Sequence, residues 1–216
     1  MNESVLTLLV YALPVIAAIT LHEAAHAWAA RLFGDNTAFD IGRMSINPAR
    51  HIDPFGTLLL PAMLYMVNHT FLFGYAKPVP ITISRLRKPR LHMALVALAG
   101  PAANFVSAFV WIVLAQNVAP DVVAQAICQA GIRVNLVLFA LNLLPIPPLD
   151  GSRVLASCLP PRLARQYSRL EPYGIWIVLA LSLLYSRIIQ VPLHFIIDAS
   201  LQLLGWLAAP LPHFLN

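Results

Sequence analysis

His22, Glu23 and His26 are the first residues whose types and spacing could do chemistry, within Thr20-Leu21-His22-Glu23-Ala24-Ala25-His26. The string is HExxH. Residues four apart share one face of a helix, so the two imidazoles can grip one metal ion. Glu23, about 100° round from His22, can reach a water on that ion and act as its base. A lone HExxH arises by chance in long helices, and a single helical histidine is more often packed than ligating. The setting argues for chemistry: from Val5 to Ala30 no other charged residue occurs. Ionisable groups inside so apolar a run are costly and usually functional.

Two histidines leave a metal short of ligands. The string Asn142-Leu143-Leu144-Pro145-Ile146-Pro147-Pro148-Leu149-Asp150-Gly151 places a carboxylate at the end of a later apolar segment. Its prolines end that helix, so Asp150 is expected on extended chain. Asp-Gly is elsewhere an ordinary turn signal. Here it completes a His2Asp set with one open position, the pattern of a catalytic zinc site. Asp150 and Glu23 together balance the charge of one Zn²⁺, which an ion within a bilayer requires. Competing ligands are weaker. His194 and Asp198 are also four apart, but such a pair is more often a contact between helices. Asp53, in His51-Ile52-Asp53-Pro54, suits the N-cap of the next segment. His69, His92 and His213 lie near segment ends.

The elements that must position these groups are membrane segments. The chain has 216 residues, 59% hydrophobic and 11% charged, with a mean hydropathy of +0.74. A soluble domain carries about 25% charged residues, so an all-α polytopic membrane protein is expected, as a single domain over residues 1–216. Six apolar segments approach the ~20 residues needed to cross: roughly 5–30, 55–73, 91–117, 124–147, 173–190 and 192–209. The motif-bearing core spans 5–155, and 171–210 adds two membrane segments. The first segment lacks a basic leader and a cleavage site, and reads as retained. Thr37–Ile41 and Arg43–Ile46 suit two short membrane-associated strands, and Lys77–Ile83 is extended because of its prolines. Gly100-Pro101-Ala102-Ala103-Asn104 puts a proline kink and a buried amide inside 91–117, either for packing or for a polar role at the site. Cys128 and Cys158 form no disulfide framework.

Asp150 and the two histidines must meet at one depth, each at the C-terminal end of its segment. An odd number of crossings must therefore separate the two segments. We expect 55–73, interrupted by Pro61, Asn68 and His69, to be re-entrant rather than spanning. Twelve of the fourteen Lys and Arg residues then share one side, which the positive-inside rule makes cytoplasmic. The N-terminus falls outside and the site lies towards the cytoplasm. In this light the net charge of +5 reports topology and not a nucleic-acid partner.

HEAAH, GPAAN and NLLPIPPLDG, in that order over roughly residues 15–155, resemble the site-2 protease family of intramembrane zinc metalloproteases. Asn47-Pro48 through Pro54 and Lys77–Pro80 are similar to the loops of its compact prokaryotic members. The resemblance implies one zinc held by His22, His26 and Asp150, with Glu23 as catalytic base. It also implies that Asn104 and Asn142 help to place substrate or its carbonyl. The substrate would be a transmembrane protein in the lipid bilayer of the cell membrane, cut in or near its membrane segment. A metal transporter or metal-binding membrane protein is the alternative. It would use the same three ligands but give Glu23 no task as base.

Overall fold

An apolar membrane interior offers backbone amides no water, so segments crossing it close their hydrogen bonds internally as helices. The computed structural model describes residues 3–53, 56, 77–118, 121–174, 176–177, 180 and 187–210. Over these residues it is all-helical. Seven helices carry the architecture: α1 (Glu3–Leu32), α2 (Thr37–Asp40), α3 (Pro89–Asn117), α4 (Val122–Leu143), α5 (Asp150–Cys158), α6 (Pro161–Ser168) and α7 (Arg187–Ala208). Four are long and apolar enough to cross a membrane: α1 over Leu9–Leu32, α3, α4, and α7 over Gln190–Ala208. The expected segment 55–73, apart from Gly56, and half of 173–190 lie outside the described residues.

Local chemistry sets the helix ends. α3 begins on Pro89, whose missing N–H costs nothing in a first turn. Asp121 caps α4 by accepting the Ala124 N–H at 2.7 Å. α4 stops at Leu143, ahead of Pro145, Pro147 and Pro148. Asp150 does not lie on extended chain as expected: it is the first residue of α5. The three prolines hold the chain out of helix only as far as Leu149, and an aspartate in a first turn complements the helix dipole.

The two strands expected between Thr37 and Ile46 are also absent from the described residues. Thr37–Asp40 is a helical turn, and residues 43–46 join no ladder. Asp35 explains the difference. Its carboxylate accepts both the N–H of Thr37 (3.0 Å) and its hydroxyl (2.5 Å), a local turn that competes successfully with β-propensity. Lys77–Thr82 is extended as expected, leading into a 3₁₀ turn at Ile83–Arg85.

Paired contacts give the helix directions. Moving back along α1, His26 meets Val96, His22 meets Asn104, and Ala18 meets Asn104, so α3 runs antiparallel to α1. Along α3, Asn104 meets Asn135 and Trp111 lies against Gly131, so α4 runs antiparallel to α3 and parallel to α1. The helices approach closely where small residues line the seams, including Ala18, Ala24, Ala27, Ala97, Ala108 and Ala140. α7 joins through Leu204, packed with Ala108, Ile132 and Leu136. Large apolar side chains such as Leu13, Val106, Val110, Phe195 and Trp206 stand exposed on the outer faces, as a lipid-facing surface requires. The end of α1 and the approach to α3 come together: the Arg87 N–H donates to the Phe33 carbonyl at 3.1 Å.

Candidate metal centre

α1 brings His22, Glu23 and His26 to the bundle interior, and α5 delivers Asp150 opposite them. The Oδ2 of Asp150 lies 3.1 Å from the Nε2 of His22 and 3.3 Å from that of His26. The two Nε2 atoms are 3.1 Å apart. All three side chains are buried, and among the described residues they form the group of His, Cys, Asp and Glu close enough to share a metal. Two glycines permit this approach. A Cβ on Gly100 of α3 would overlap both imidazole rings. A Cβ on Gly151 would strike the Leu143 and Leu144 carbonyls, so glycine lets the start of α5 fold back onto the end of α4.

The far nitrogens fix what the near ones can do. His26 Nδ1 lies 2.7 Å from the Val96 carbonyl, which can only accept, so this nitrogen carries the proton. His22 Nδ1 lies 2.6 Å from Asn104 Oδ1. The amide of Asn104 is oriented by the Ala18 carbonyl, which takes its Nδ2–H at 3.2 Å. Oδ1 therefore faces His22, and Nδ1 of that ring also donates. Both Nε2 atoms keep their lone pairs, and both aim at Asp150 Oδ2. That oxygen is buried and has no hydrogen-bond donor. With both rings neutral, two imidazole lone pairs and an unpartnered carboxylate oxygen converge on one point. A cation fits this donor set, and imidazole with carboxylate suits zinc.

Glu23 is held from the other side. Its Oε2 accepts the backbone N–H of Val79 at 3.0 Å. Val79 belongs to the extended segment Lys77–Thr82, which is fastened along its length. Arg43 donates to the Lys77 carbonyl (2.5 Å), the His51 carbonyl accepts the Lys77 N–H (2.9 Å), and Asp35 accepts the Thr82 N–H (2.6 Å). Burial pushes the Asp35 carboxyl up, but its bonds from Thr37 and Thr82 and the Arg85 charge more than offset this and hold it below its ordinary 3.8. A cavity of about 530 Å³ opens beside the site, lined by His22, Glu23, His26, Asn142, Asp150 and Arg153 with apolar neighbours.

The residues singled out in the sequence divide by location. His22, Glu23, His26, Asp150 and Asn142 all face the cavity. Asn104 does not line it; its amide contacts His22, Ala18 and Asn135. His194 and Asp198 are exposed on α7, and His194 bonds the Gln190 carbonyl of its own helix. Asp53 accepts the Gly56 N–H at 2.7 Å; the segment it was expected to cap lies, but for Gly56, outside the described residues. Sequence reasoning did not single out Asn135 or the Val79 N–H. An asparagine within an apolar helix was a signal for the first; a backbone donor leaves none.

Comparison with known proteins agrees with this geometry. The chain matches peptidase family M50 over residues 10–128. It is 36% identical over 208 residues to YwhC of Bacillus subtilis (strain 168), covering 91% of each chain, and that protein is named "Putative zinc metalloprotease". Rip2 of Mycolicibacterium smegmatis, named likewise, is 31% identical over 77% of this chain and 63% of its own length. MJ0611 of Methanocaldococcus jannaschii, also so named, is 29% identical over 71% of this chain and 73% of its own. No solved structure matches. A family match over more than half of the chain, together with the near-complete overlap with YwhC, shows that this protein belongs to peptidase family M50, the site-2 protease family of intramembrane zinc metalloproteases.

Proposed function

We propose that His22, His26 and Asp150 hold one zinc, and that Glu23 moves the proton in hydrolysis of a peptide bond in or beside a transmembrane segment of a substrate protein. The observation that carries the assignment is the unpartnered, buried Asp150 Oδ2 between two imidazole lone pairs. Held by these three side chains, zinc would supply Lewis acidity towards a peptide carbonyl and water. Glu23, with Oε2 fixed by the Val79 N–H, takes a proton from the attacking water and passes it to the leaving amine. The cavity admits the substrate chain in unwound form, because a helix hides the carbonyl that must be attacked. Asn142 positions substrate; the support is that it lies on the cavity wall, its Nδ2–H donating to the Leu138 carbonyl. Asn104 instead acts through His22.

The whole of residues 1–216 serves as one membrane domain in the cell membrane. Its N-terminus lies outside and the metal centre towards the cytoplasm. The support is the Phe33–Arg87 contact, which starts and returns residues 33–88 at one end of the bundle, together with the basic residues clustered there. Cysteines placed at Ser84 and Val122, both exposed, with native Cys128 and Cys158 replaced, test this. On intact cells an impermeant thiol reagent should label position 122 and spare position 84.

The functional test is purification in detergent, zinc measurement per chain, and assay of wild type against Glu23→Gln on model transmembrane substrates. The variant should keep its zinc and lose about 10²–10⁴ in rate. A fully active Glu23→Gln protein would remove Glu23 from the mechanism.

A further inference from the structure

Asn135 lies in the middle of α4 and is fully buried. It does not line the cavity, and the polar partners of its amide are not metal-centre ligands, yet that amide completes a polar chain across three helices. Its Nδ2 donates to the Gly131 carbonyl at 2.9 Å. A carbonyl can only accept, so this contact orients the amide and turns Oδ1 towards α3. There Oδ1 accepts from Asn104 Nδ2 at 3.1 Å. The second Nδ2–H of Asn104 goes to the Ala18 carbonyl at 3.2 Å, and Asn104 Oδ1 faces His22 Nδ1 at 2.6 Å.

We infer that Asn135 is a positioning residue for the metal centre, setting the tautomer of His22 through Asn104. The inference rests on the zinc-binding role proposed for His22. If the Asn104 amide turned over, its Nδ2 would face His22, and Nδ1 would have to accept. The ring proton would then sit on Nε2, the nitrogen that must give a lone pair to the metal. Turned over, Asn104 Oδ1 would also confront two acceptors at once, the Ala18 carbonyl and Asn135 Oδ1. In a buried site such a clash of acceptors is unrelieved by water. Without Asn135 only one of the two remains to oppose the turn. The device uses no charge, which suits a site at membrane depth.

Substitutions at Asn135 separate this role from packing. Asn135→Leu keeps similar bulk but removes the acceptor. Asn135→Asp is close to isosteric. In an apolar interior its carboxyl stays protonated, so its O–H can donate to Gly131 while its carbonyl accepts from Asn104. Zinc affinity is read by competition with a chelator in detergent, alongside thermal unfolding of the metal-free protein. Asn135→Leu should bind zinc about 10-fold more weakly, the low end of the range for groups that contact a ligand directly. Asn135→Asp should stay within a few-fold of wild type. Asn104→Leu should weaken zinc further, and adding Asn135→Leu to it should cost little more, because the two act in series. Asn135→Ala, which also lacks the acceptor, replaces the Leu variant if that one does not fold.

Three results would overturn the inference alone: wild-type affinity in Asn135→Leu, weaker binding in the Asp variant than in the Leu variant, or fully additive losses with Asn104→Leu. Each is what a packing residue would show. Absence of zinc from the wild type would instead overturn the proposed ligand set, and this inference with it.

Discussion

Two pairs of titratable residues sit four apart on apolar helices, His22 with His26 on α1 and His194 with Asp198 on α7. Spacing alone rates them equally. In the first pair both rings are buried and both Nδ1 atoms are held, one by Asn104 and one by the Val96 carbonyl, so both Nε2 atoms are aimed. In the second pair both residues are exposed, and His194 is turned back onto its own helix at Gln190. The difference lies on the neighbouring helix. α3 offers a glycine where the rings must fit and an acceptor for each outer nitrogen, and α5 brings a carboxylate. A ligand pair becomes a metal centre when other elements orient it.

The sharpest way to break the contrast is to fill the space α3 leaves. Gly100→Ala places a methyl group against both imidazoles. Displacement of reacting groups by about 1 Å costs on the order of 100-fold, so activity should fall at least that far and zinc should bind more weakly. Retention of both in a direct assay would mean that the rings tolerate movement. Removing the support of Glu23 is a milder test. Val79→Pro deletes the N–H that Oε2 accepts, while Val79→Ala retains it. The proline variant should keep its zinc and lose about 10-fold in rate, the scale of one charge-assisted hydrogen bond. The alanine variant should match wild type.

Asp35 offers a smaller effect with a definite sign. Its folded carboxyl lies below its ordinary 3.8, so across the acid range it binds fewer protons folded than unfolded. Its contribution to stability is complete above 3.8 and is lost as pH falls through the folded value. The gap in unfolding temperature between wild type and Asp35→Asn should therefore be widest near neutrality and narrow below 3.8. A gap that widens in acid would reverse the assignment. The least effect is expected on α7: His194→Ala should leave zinc and activity unchanged and shift stability within about 0.5 kcal/mol, as for an exposed site.

How much of this was legible beforehand depended on the kind of signal. HExxH and the proline-bounded Asp150 announced themselves because charge is rare in so apolar a chain. α1, α3 and α4 followed from apolar length. Thr37–Asp40 misled because β-propensity is a weak preference that one aspartate, two residues earlier, overrode with its own hydrogen bonds. Asp150 was given the right neighbours and the wrong conformation, since prolines say where a helix stops but not how soon the next begins. For Asn104 the sequence left packing and a polar role at the site both open, because a buried amide near a site can face either substrate or ligand. Only the packing of α3 against α1 shows it on His22. The Val79 N–H had no signature at all, because every residue but proline carries one.

Whether three side chains from α1 and α5 hold the metal is tested most directly by zinc content. Wild type, Asp150→Ala and His194→Ala should be purified in parallel and measured for zinc per chain and for cleavage of a transmembrane substrate. Wild type and His194→Ala should each carry one zinc and cleave, while Asp150→Ala should lose both together. Full zinc and full activity in Asp150→Ala would contradict the account.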